Sequence, residues 1–305
     1  MGMKIKAKTL ANRFPSPIER VMRRLYVRQH FKTELELIKG KHHTQNTHPS
    51  IIHFSFNKAA TQYVKSVLNR CAVENSVVPI ALHDYAFHTN FPRLHHLPAE
   101  EVAKYHHVFK ERGYLYSVFS GMIEGIPQLE KYKIVLVTRD PRDLLVSGYY
   151  SIAYSHSVPS KSGDKYAGFM EQRREARQLT VDEYVIAESD KVYNQYLRYQ
   201  HLLLDRYPNV HVVSYEQMVA DFGGWLKDLL DYCELEISAS LFDSIMQENA
   251  QLIPKKENIH KHLRKGQPGD YRAKLRPDTV EQLDMKFAPV LARFGYGASV
   301  RDVHQ

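Results

Sequence analysis

Short apolar runs alternate with helical patterns along most of the chain. The clearest runs cover residues 51–56, 77–82, 113–119, 133–138 and 210–214, and amphipathic segments follow most of them. A short apolar run bounded by polar residues is typical of a strand buried on both faces, and strands separated by helices are typical of parallel sheets. The sequence therefore predicts an α/β protein with three layers, in which helices flank a central parallel sheet.

Two segments depart from this alternation of strands and helices. Ser16-Pro17 is typical of a helix start, and an apolar stripe of Ile18, Val21, Met22 and Leu25 follows it, opposite several arginines. Such a helix either packs its stripe on the protein or lies on a membrane or partner surface; we favour packing, and assign residues 1–50 to a basic extension packed on a domain of residues 51–305. Residues 155–179 are rich in Ser, Lys, Gly, Arg and Gln, so we expect a mobile surface excursion.

Composition narrows the class of protein without choosing a partner. The chain has 305 residues, a formal net charge of +8 and a pI near 9.2, which favours anionic partners such as nucleotides, phosphorylated substrates, nucleic acids or membrane surfaces. Cys71 and Cys233 are far apart, which argues against a disulfide framework or a cysteine zinc site. Since no long apolar run occurs, we expect a cytoplasmic protein without stable membrane insertion.

Two segments read as strand, loop and helix with a cation and a hydroxyl at the junction. Residues 51–62 carry Lys58 and Thr61, and residues 133–150 carry Arg139 with Ser147 eight positions later. A helix N-terminus binds anions through its unsatisfied N–H groups and its dipole. The pair predicts a ligand with phosphates at both ends. The pattern GxxxxGK[ST] is absent, which argues against an ordinary ATP or GTP hydrolase.

Three motifs give the chain a family resemblance. The segment RDPRDLLVSGYY begins at Arg139, VVSYEQM covers residues 212–218, and RKGQPGDY covers residues 264–271. Together with the Lys58 loop they are similar, in order and separation, to the motifs of cytosolic-type sulfotransferases, which use 3′-phosphoadenosine 5′-phosphosulfate (PAPS). The resemblance covers about residues 50–290 and implies a P-loop-like fold.

The resemblance implies a role for each matching residue. The 5′-phosphosulfate would contact the first loop, the 3′-phosphate would bind Arg139 and Ser147, and the adenine would lie near Tyr215. The C-terminal motif would return to the 3′-phosphate, which the product 3′-phosphoadenosine 5′-phosphate (PAP) retains. The residues of the first loop are Lys58, Ala59, Ala60, Thr61 and Gln62. Those of the C-terminal motif are Arg264, Lys265 and Gly266.

The first loop departs from the family pattern. The family reads P-K-S-G-T-T-W, whereas residues 57–63 read N-K-A-A-T-Q-Y, so that Ala60 replaces a glycine and two hydroxyls are lost. Alanine is costly if the position requires a positive φ. We expect either weaker PAPS binding or compensation by Asn57 and Gln62, and we expect Lys58 to stabilise or protonate the leaving oxygen.

The general base is not evident from the sequence. Many family members carry a histidine in a T-H-L-P string at the end of the third strand, where this chain has Ser117 and Ser120 in YSVFSGM. Serine is a poor base, so the base must come from elsewhere or be dispensable. The candidates, in the order in which we rank them, are His83, Asp84, and then Glu124 and His88. The adjacent histidine pairs do not suggest a metal site, and the family requires no metal.

The sequence leaves several functions open. The leading interpretation is sulfuryl transfer from PAPS to a hydroxyl or amine of a small-molecule or carbohydrate acceptor. The alternatives are a P-loop-like nucleotide kinase and a degenerate PAP- or PAPS-binding protein without turnover. A nucleic-acid partner would rest on net charge alone, and we do not expect one. The acceptor and the oligomeric state remain unassigned.

Overall fold

A five-stranded parallel sheet forms the centre of the molecule. The computed structural model describes residues 16–158, 165–252 and 267–297. The strands lie in the order β2-β3-β1-β4-β5, and every neighbouring pair is parallel. Their bounds are Ile51–Ser55 (β1), Val78–Ile80 (β2), Tyr114–Phe119 (β3), Lys133–Thr138 (β4) and Val210–Ser214 (β5).

Helices connect the strands and cover the sheet. In the described residues the α-helices are Ser16–His30 (α1), Lys32–Ile38 (α2), Thr61–Glu74 (α3), Leu82–His88 (α4), Ala99–Val102 (α5), Pro141–Tyr150 (α6), Lys165–Gln178 (α7), Val181–Tyr199 (α8), Tyr215–Ala220 (α9), Phe222–Cys233 (α10), Ala239–Leu252 (α11), Tyr271–Lys274 (α12) and Pro277–Arg293 (α13). Short 3₁₀ segments cover Leu94–His96, Ala103–Val108 and Leu129–Lys131, and π turns cover Ser151–Ser155 and Gln200–Leu204.

The strand order brings the loops after β1 and β4 to the same edge of the sheet. The chain lays β2 and β3 on one side of β1 and β4 and β5 on the other. The strand order therefore reverses direction at β1, and ligands of open α/β sheets bind beyond the carboxyl ends of the strands at such a point. The loops after β1 and β4, which carry Lys58 and Arg139, both start at this edge.

Aromatic side chains hold the end of β1 in place. Phe56 is fully buried and stacks on Tyr196 of α8, with ring centroids 4.0 Å apart. Phe54 packs edge-on against Tyr199. The Tyr196 hydroxyl also donates a hydrogen bond to the carbonyl oxygen of Arg139. One helix thus contacts the ends of β1 and β4, which limits how far the two loops can move relative to each other.

A neutral histidine lies inside the sheet. His53 on β1 is completely buried, and its Nδ1 lies 2.9 Å from Ser117 Oγ on β3. Burial lowers the pKa of His53 to about 3, with a smaller effect of the same sign from Lys65. The imidazole is therefore uncharged at neutral pH, as the apolar strands around it require.

One expectation about mobility is wrong. Residues 165–178 form α7 instead of belonging to a mobile excursion. Arg173 donates from Nε to the Ile152 carbonyl at 2.8 Å, and Arg177 donates to the Ala153 carbonyl at the same distance. These arginines satisfy carbonyls at the end of the α6 region, whereas composition alone indicates only a polar, exposed segment.

A second expectation is wrong for α1, because Val21, Met22 and Leu25 of its apolar stripe do not pack on the protein. The side chain of Ile18, the fourth member of the stripe, lies outside the described residues. Val21, Met22 and Leu25 are 55%, 39% and 54% exposed. The helix contacts the protein through a different face, which includes Tyr26 and Val27. The assignment of residues 1–50 to a separate extension stays a prediction.

Candidate active site

The Lys58 loop is a tight turn between β1 and α3. Lys58 has φ 76° and Ala60 has φ 53°, both in the left-handed region, and the Ala59 N–H donates to the Phe56 carbonyl. Within the described part of the chain, no hydrogen bond occupies the N–H of Ala60, Thr61 or Gln62. These three groups at the start of a 14-residue helix match the arrangement that binds phosphate in other proteins.

The backbone at Ala60 explains why the family pattern has a glycine there. Ala60 is the N-cap of α3 and adopts the left-handed conformation, with φ 53° and ψ 24°. Glycine adopts this conformation without penalty, whereas an L-residue with a Cβ pays about 1 kcal/mol. The loop of this chain therefore carries that strain.

Thr61 supports the loop through its side chain. Its hydroxyl donates to the Phe56 carbonyl at 2.9 Å and lies 3.1 Å from Ser55 Oγ. The side chain is buried, so its hydroxyl fastens the first turn of α3 to the end of β1. Contact between Thr61 and a ligand is therefore left to its backbone N–H.

Arg139 joins the second loop to the first. Its Nη1 donates to the Lys58 carbonyl at 2.8 Å, and its guanidinium lies 4.3 Å from the centre of the Tyr215 ring. Nη2 lies 3.7 Å from Asp143 Oδ2. Three strand ends, those of β1, β4 and β5, thus bring Lys58, Arg139 and Tyr215 together at one edge of the sheet.

Arg139 also has an unsatisfied donor. Its side chain is buried, and its Nε has no hydrogen-bond partner among the described residues. A buried guanidinium N–H without an acceptor is costly, and an anion at this position would relieve that cost. This fits the expected 3′-phosphate role.

Asp143 connects α6 to the C-terminal motif, and the sequence argument missed it. Its Oδ2 accepts a hydrogen bond from Gly269 N–H at 2.7 Å, and its Oδ1 accepts one from Tyr271 N–H at 3.0 Å. Burial raises the pKa of Asp143, while the charge of Arg139 opposes that shift. The sequence did contain a signal for this residue. Asp143 is the fifth residue of RDPRD and lies four positions, about one helical turn, after Arg139.

The other cofactor residues can be placed in part. Ser147 is half-buried on α6, four positions after Asp143 and so on the same helix face. Arg264, Lys265 and Gly266 lie outside the described residues, and their roles stay predictions. The Asp143 bonds nevertheless hold the end of that motif, Gly269 and Tyr271, beside the start of α6.

The four base candidates have different surroundings. Asp84 forms an ion pair with Lys65, with 2.5 Å between Oδ2 and Nζ. Glu124 pairs with Arg198 at 2.7 Å. His88, at the end of α4, contacts the Tyr26 ring of α1. His83 is in the first turn of α4, just after β2.

A second histidine lies beside His83 and was not among the candidates. The His95 ring stacks on His83 with centroids 5.2 Å apart. It also packs so closely on Gly121 that a Cβ there would lie 2.8 Å from His95 Cδ2. A histidine of the 3₁₀ segment Leu94–His96 thus reaches the residues that follow β3, close to the position where many family members carry their T-H string. Nothing in the local sequence pattern links positions 95 and 121.

Burial keeps both histidines neutral. It lowers the pKa of His83, against the opposing effect of the Asp84 charge, and it lowers the pKa of His95 to about 3. The Nδ1 atom of His83 is buried and has no partner in the described part of the chain. A neutral imidazole is the form that accepts a proton, although a very low pKa also makes it a weak base.

A cavity of about 490 Å³ lies beside the site rather than within it. Its lining includes Asp140, Glu216, Arg272 and Tyr296 but neither Lys58 nor Arg139. The two loops predicted to bind phosphate therefore lie outside this cavity, which is a neighbouring feature between the ends of β4, β5 and α13.

Neither a cluster of potential metal ligands nor a membrane-spanning helix occurs in the described residues. No group of three or more His, Cys, Asp or Glu side chains within residues 16–158, 165–252 and 267–297 is arranged to hold a metal ion. No helix in the same ranges has the length and apolar character needed to cross a bilayer.

Comparison with known proteins identifies the family. The family model described as "Sulfotransferase domain" matches residues 122–295. Sulfotransferase 2A1 of Rattus norvegicus is 21% identical over 183 residues, which is 55% of this chain and 59% of that protein, so this chain spans less than two thirds of that relative. The structure of mouse sulfotransferase SULT7A1 complexed with PAP superposes with a TM-score of 0.50 and 16% identity, covering 84% of this chain and 88% of that one.

The superposition on the mouse sulfotransferase supports the fold of this chain, and the family model supports its family membership. The superposition confirms the predicted P-loop-like α/β fold with a central parallel sheet. Because the family model covers more than half of the chain, this protein is a member of the sulfotransferase domain family.

Proposed function

We propose that the protein transfers a sulfuryl group from PAPS to a hydroxyl or amine acceptor. The hydrogen bond from Arg139 to the Lys58 carbonyl carries the proposal, since it brings into direct contact the two junctions that we predict to bind phosphate. A donor with phosphate groups at its 3′ and 5′ positions matches two such junctions. Membership of the sulfotransferase family supports the same donor.

Binding and activation of the donor are assigned to the loops. The N–H groups of Ala60, Thr61 and Gln62, together with Ala59, surround the 5′-phosphosulfate, and Lys58 stabilises the charge that builds on the leaving phosphate oxygen. Positioning and fixed charge do most of the work in transfers of this kind.

The 3′-phosphate and the adenine are bound on the other side of the junction. We assign the 3′-phosphate to Arg139 and Ser147, with Arg264, Lys265 and Gly266 returning to it, and the adenine to the neighbourhood of Tyr215. The buried Arg139 Nε, which has no partner among the described residues, supports this assignment. A guanidinium fork matches a phosphate better than a single ammonium does.

His83 is our proposed general base. Burial keeps its imidazole neutral, and Asp84 acts beside it by holding the His83 pKa above the value that burial alone would give. The position at the edge of β2 and β3 is suited to an acceptor that approaches the Lys58 loop from that side. We expect a small-molecule or carbohydrate acceptor.

We also propose a cytoplasmic location. Cys71 and Cys233 are both buried free thiols, and thiols stay reduced in that compartment.

A thermal-shift titration tests the donor assignment. PAP, ATP and 5′-AMP are titrated against the protein, since only PAP has phosphates at both the 3′ and the 5′ position. We expect PAP to raise the melting temperature with the logarithm of its concentration once that concentration exceeds Kd, and 5′-AMP and ATP to have little effect. The Arg139→Ala variant is the matched control and should respond equally weakly to PAP and 5′-AMP.

The same titration separates the alternatives. An equal response to ATP would favour a nucleotide kinase. A response to PAP without transfer of labelled sulfuryl groups to a panel of phenols, alcohols, amines and sugars would favour a binding protein without turnover. No response to any of the three would overturn the donor assignment.

A further inference from the structure

The exposed surface of α1 carries an apolar stripe. Val21, Met22 and Leu25 are 55%, 39% and 54% exposed, and their spacing puts them on one side of the helix. Helices on the surface of a protein usually bury such a stripe. Here the stripe points away from the residues that attach the helix to the protein.

The opposite face of α1 packs against α4. Arg23 Nε donates to the His88 carbonyl at 2.8 Å, and the Tyr26 ring lies 5.1 Å from the His88 ring. Val27 is buried in a small cluster with Phe31 and Tyr85. Since this face is already occupied by α4, the helix cannot rotate to bury its stripe without losing these contacts.

Positive charge is concentrated on the same part of the chain. Residues 1–30 contain eight lysine and arginine side chains and one acidic side chain, Glu19, and so carry +7 of the net charge of +8. Arg24 and Arg28 are exposed and flank the stripe on the helix. An apolar stripe bordered by cations is typical of helices that lie in the headgroup region of anionic membranes.

We propose that α1 docks the protein on an anionic lipid surface, with Val21, Met22 and Leu25 in the headgroup layer and Arg24 and Arg28 on lipid phosphates and carboxylates. Other occupants fit less well. A second copy of α1 would bring like charges together, and a nucleic acid would gain nothing from the apolar stripe. Residues 1–15 contain Lys4, Lys6, Lys8 and Arg13 and no acidic residue, so that segment would be repelled.

Vesicle sedimentation tests the proposal. The full-length protein is mixed with phosphatidylcholine vesicles that contain either no phosphatidylserine or about one third phosphatidylserine, at two salt concentrations. We expect binding only to the anionic vesicles, and weaker binding at the higher salt. Val21→Gln with Leu25→Gln should weaken binding about tenfold or more through lost apolar contact. Arg24→Gln with Arg28→Gln should weaken it roughly thirtyfold.

Matched variants control for general surface effects. Val73 and Met285 are 62% and 65% exposed on other helices, so Val73→Gln with Met285→Gln removes at least as much apolar exposure elsewhere and should leave binding unchanged. Lys191→Gln with Arg174→Gln, two exposed cations far along the chain from α1, should reduce binding much less than the Arg24 and Arg28 pair.

Four results would overturn the proposal. The first is equal binding to neutral and anionic vesicles, or to neither. The second is anionic binding that survives Val21→Gln with Leu25→Gln. The third is a lower melting temperature for that pair, since it would show that another part of the chain covers the stripe. The fourth is a dimer, seen by analytical ultracentrifugation, that the same pair dissolves.

Discussion

The carboxylate of Asp143 accepts the backbone N–H of Tyr271 at 3.0 Å, across 128 positions of the chain. The second oxygen accepts the N–H of Gly269, and the same carboxylate faces the guanidinium of Arg139. One buried side chain therefore fixes the end of the RKGQPGDY motif against the helix that follows Arg139. The position of that motif depends on a residue that need not touch a ligand.

Asp143→Asn should weaken PAP binding without unfolding the protein. An amide accepts through one oxygen only, and its NH₂ group faces one of the two N–H donors, so one of the two bonds is lost. Hydrogen bonds to charged groups contribute about 1.5–3 kcal/mol, so the loss of affinity is at most roughly 10- to 150-fold, reached if the whole bond is needed to hold the motif in place for PAP. Calorimetric titration with PAP measures it. Asp243→Asn, an exposed position on α11, is the control; equal losses in both variants would contradict the role given to Asp143.

Lys58→Ala should abolish transfer and leave the fold intact. The hydrogen bond from Arg139 goes to the Lys58 backbone carbonyl, which alanine retains. Lys58→Arg separates two roles of the side chain, because arginine keeps the charge but does not give up a proton. Substantial activity in Lys58→Arg would indicate charge stabilisation, and none would indicate proton donation. Initial rates with labelled PAPS are the measurement, and near-normal turnover in Lys58→Ala would remove Lys58 from the mechanism.

Ala60→Gly should stabilise the protein. The substitution relieves the left-handed strain at φ 53°, and the greater freedom of glycine in the unfolded chain offsets part of the gain, which leaves about 0.5 kcal/mol. Ala59→Gly is the matched control, since Ala59 is fully buried and is not among the residues with positive φ, and it should destabilise. Denaturant titration of both variants is the measurement. If both variants lose stability, strain at Ala60 does not explain the family's glycine.

His83→Gln should lower kcat more than it changes KM and should alter the pH–rate profile. Burial lowers the His83 pKa below 6.5, so the active neutral form predominates at neutral pH and is lost only as the pH falls further. The acid limb of kcat/KM should therefore lie below pH 6.5 in the wild type and be absent from the variant. His95→Gln is the comparison. A profile changed by His95→Gln and not by His83→Gln would transfer the role to His95.

His53 should make the protein less stable in mild acid. The unfolded chain binds a proton below pH 6.5, whereas buried His53 does so only near pH 3, so stability is present above pH 6.5 and is lost as the pH falls toward 3. At pH 5 the loss from this residue is about 2 kcal/mol. His53→Gln should flatten the dependence of unfolding free energy on pH between 7.5 and 5, and exposed His43→Gln should not. Equal slopes in all three proteins would show that His53 is not the cause.

Local pattern predicted the strands and the two junctions well. Residues 133–138 and 210–214 appear as β4 and β5 with the predicted bounds, because apolar β-branched runs between polar turns have few alternatives. Lys58 and Arg139 meet because parallel strands bring their carboxyl ends to the same edge. A contact of this kind can be predicted, because the alternation of strands and helices along the sequence indicates a parallel sheet.

Contacts between distant loops could not be predicted in this way. The approach of His95 to Gly121 depends on how the segment after α4 folds back, and no periodicity records it. Helix α7 was missed because its arginines bind carbonyls of a turn that is itself irregular. The outward face of α1 was missed for a similar reason, since Tyr26 and Val27, rather than the longest apolar stripe, find partners on α4.

The hydrogen bond between Arg139 and the Lys58 carbonyl also has an energetic consequence. If one end of a ligand positions Arg139, it also restrains the loop that receives the other end, and the reverse holds by thermodynamic reciprocity. We therefore expect the two halves of a bisphosphate to bind cooperatively, so that the affinity of the whole ligand exceeds what the affinities of its separate halves would give through tethering alone.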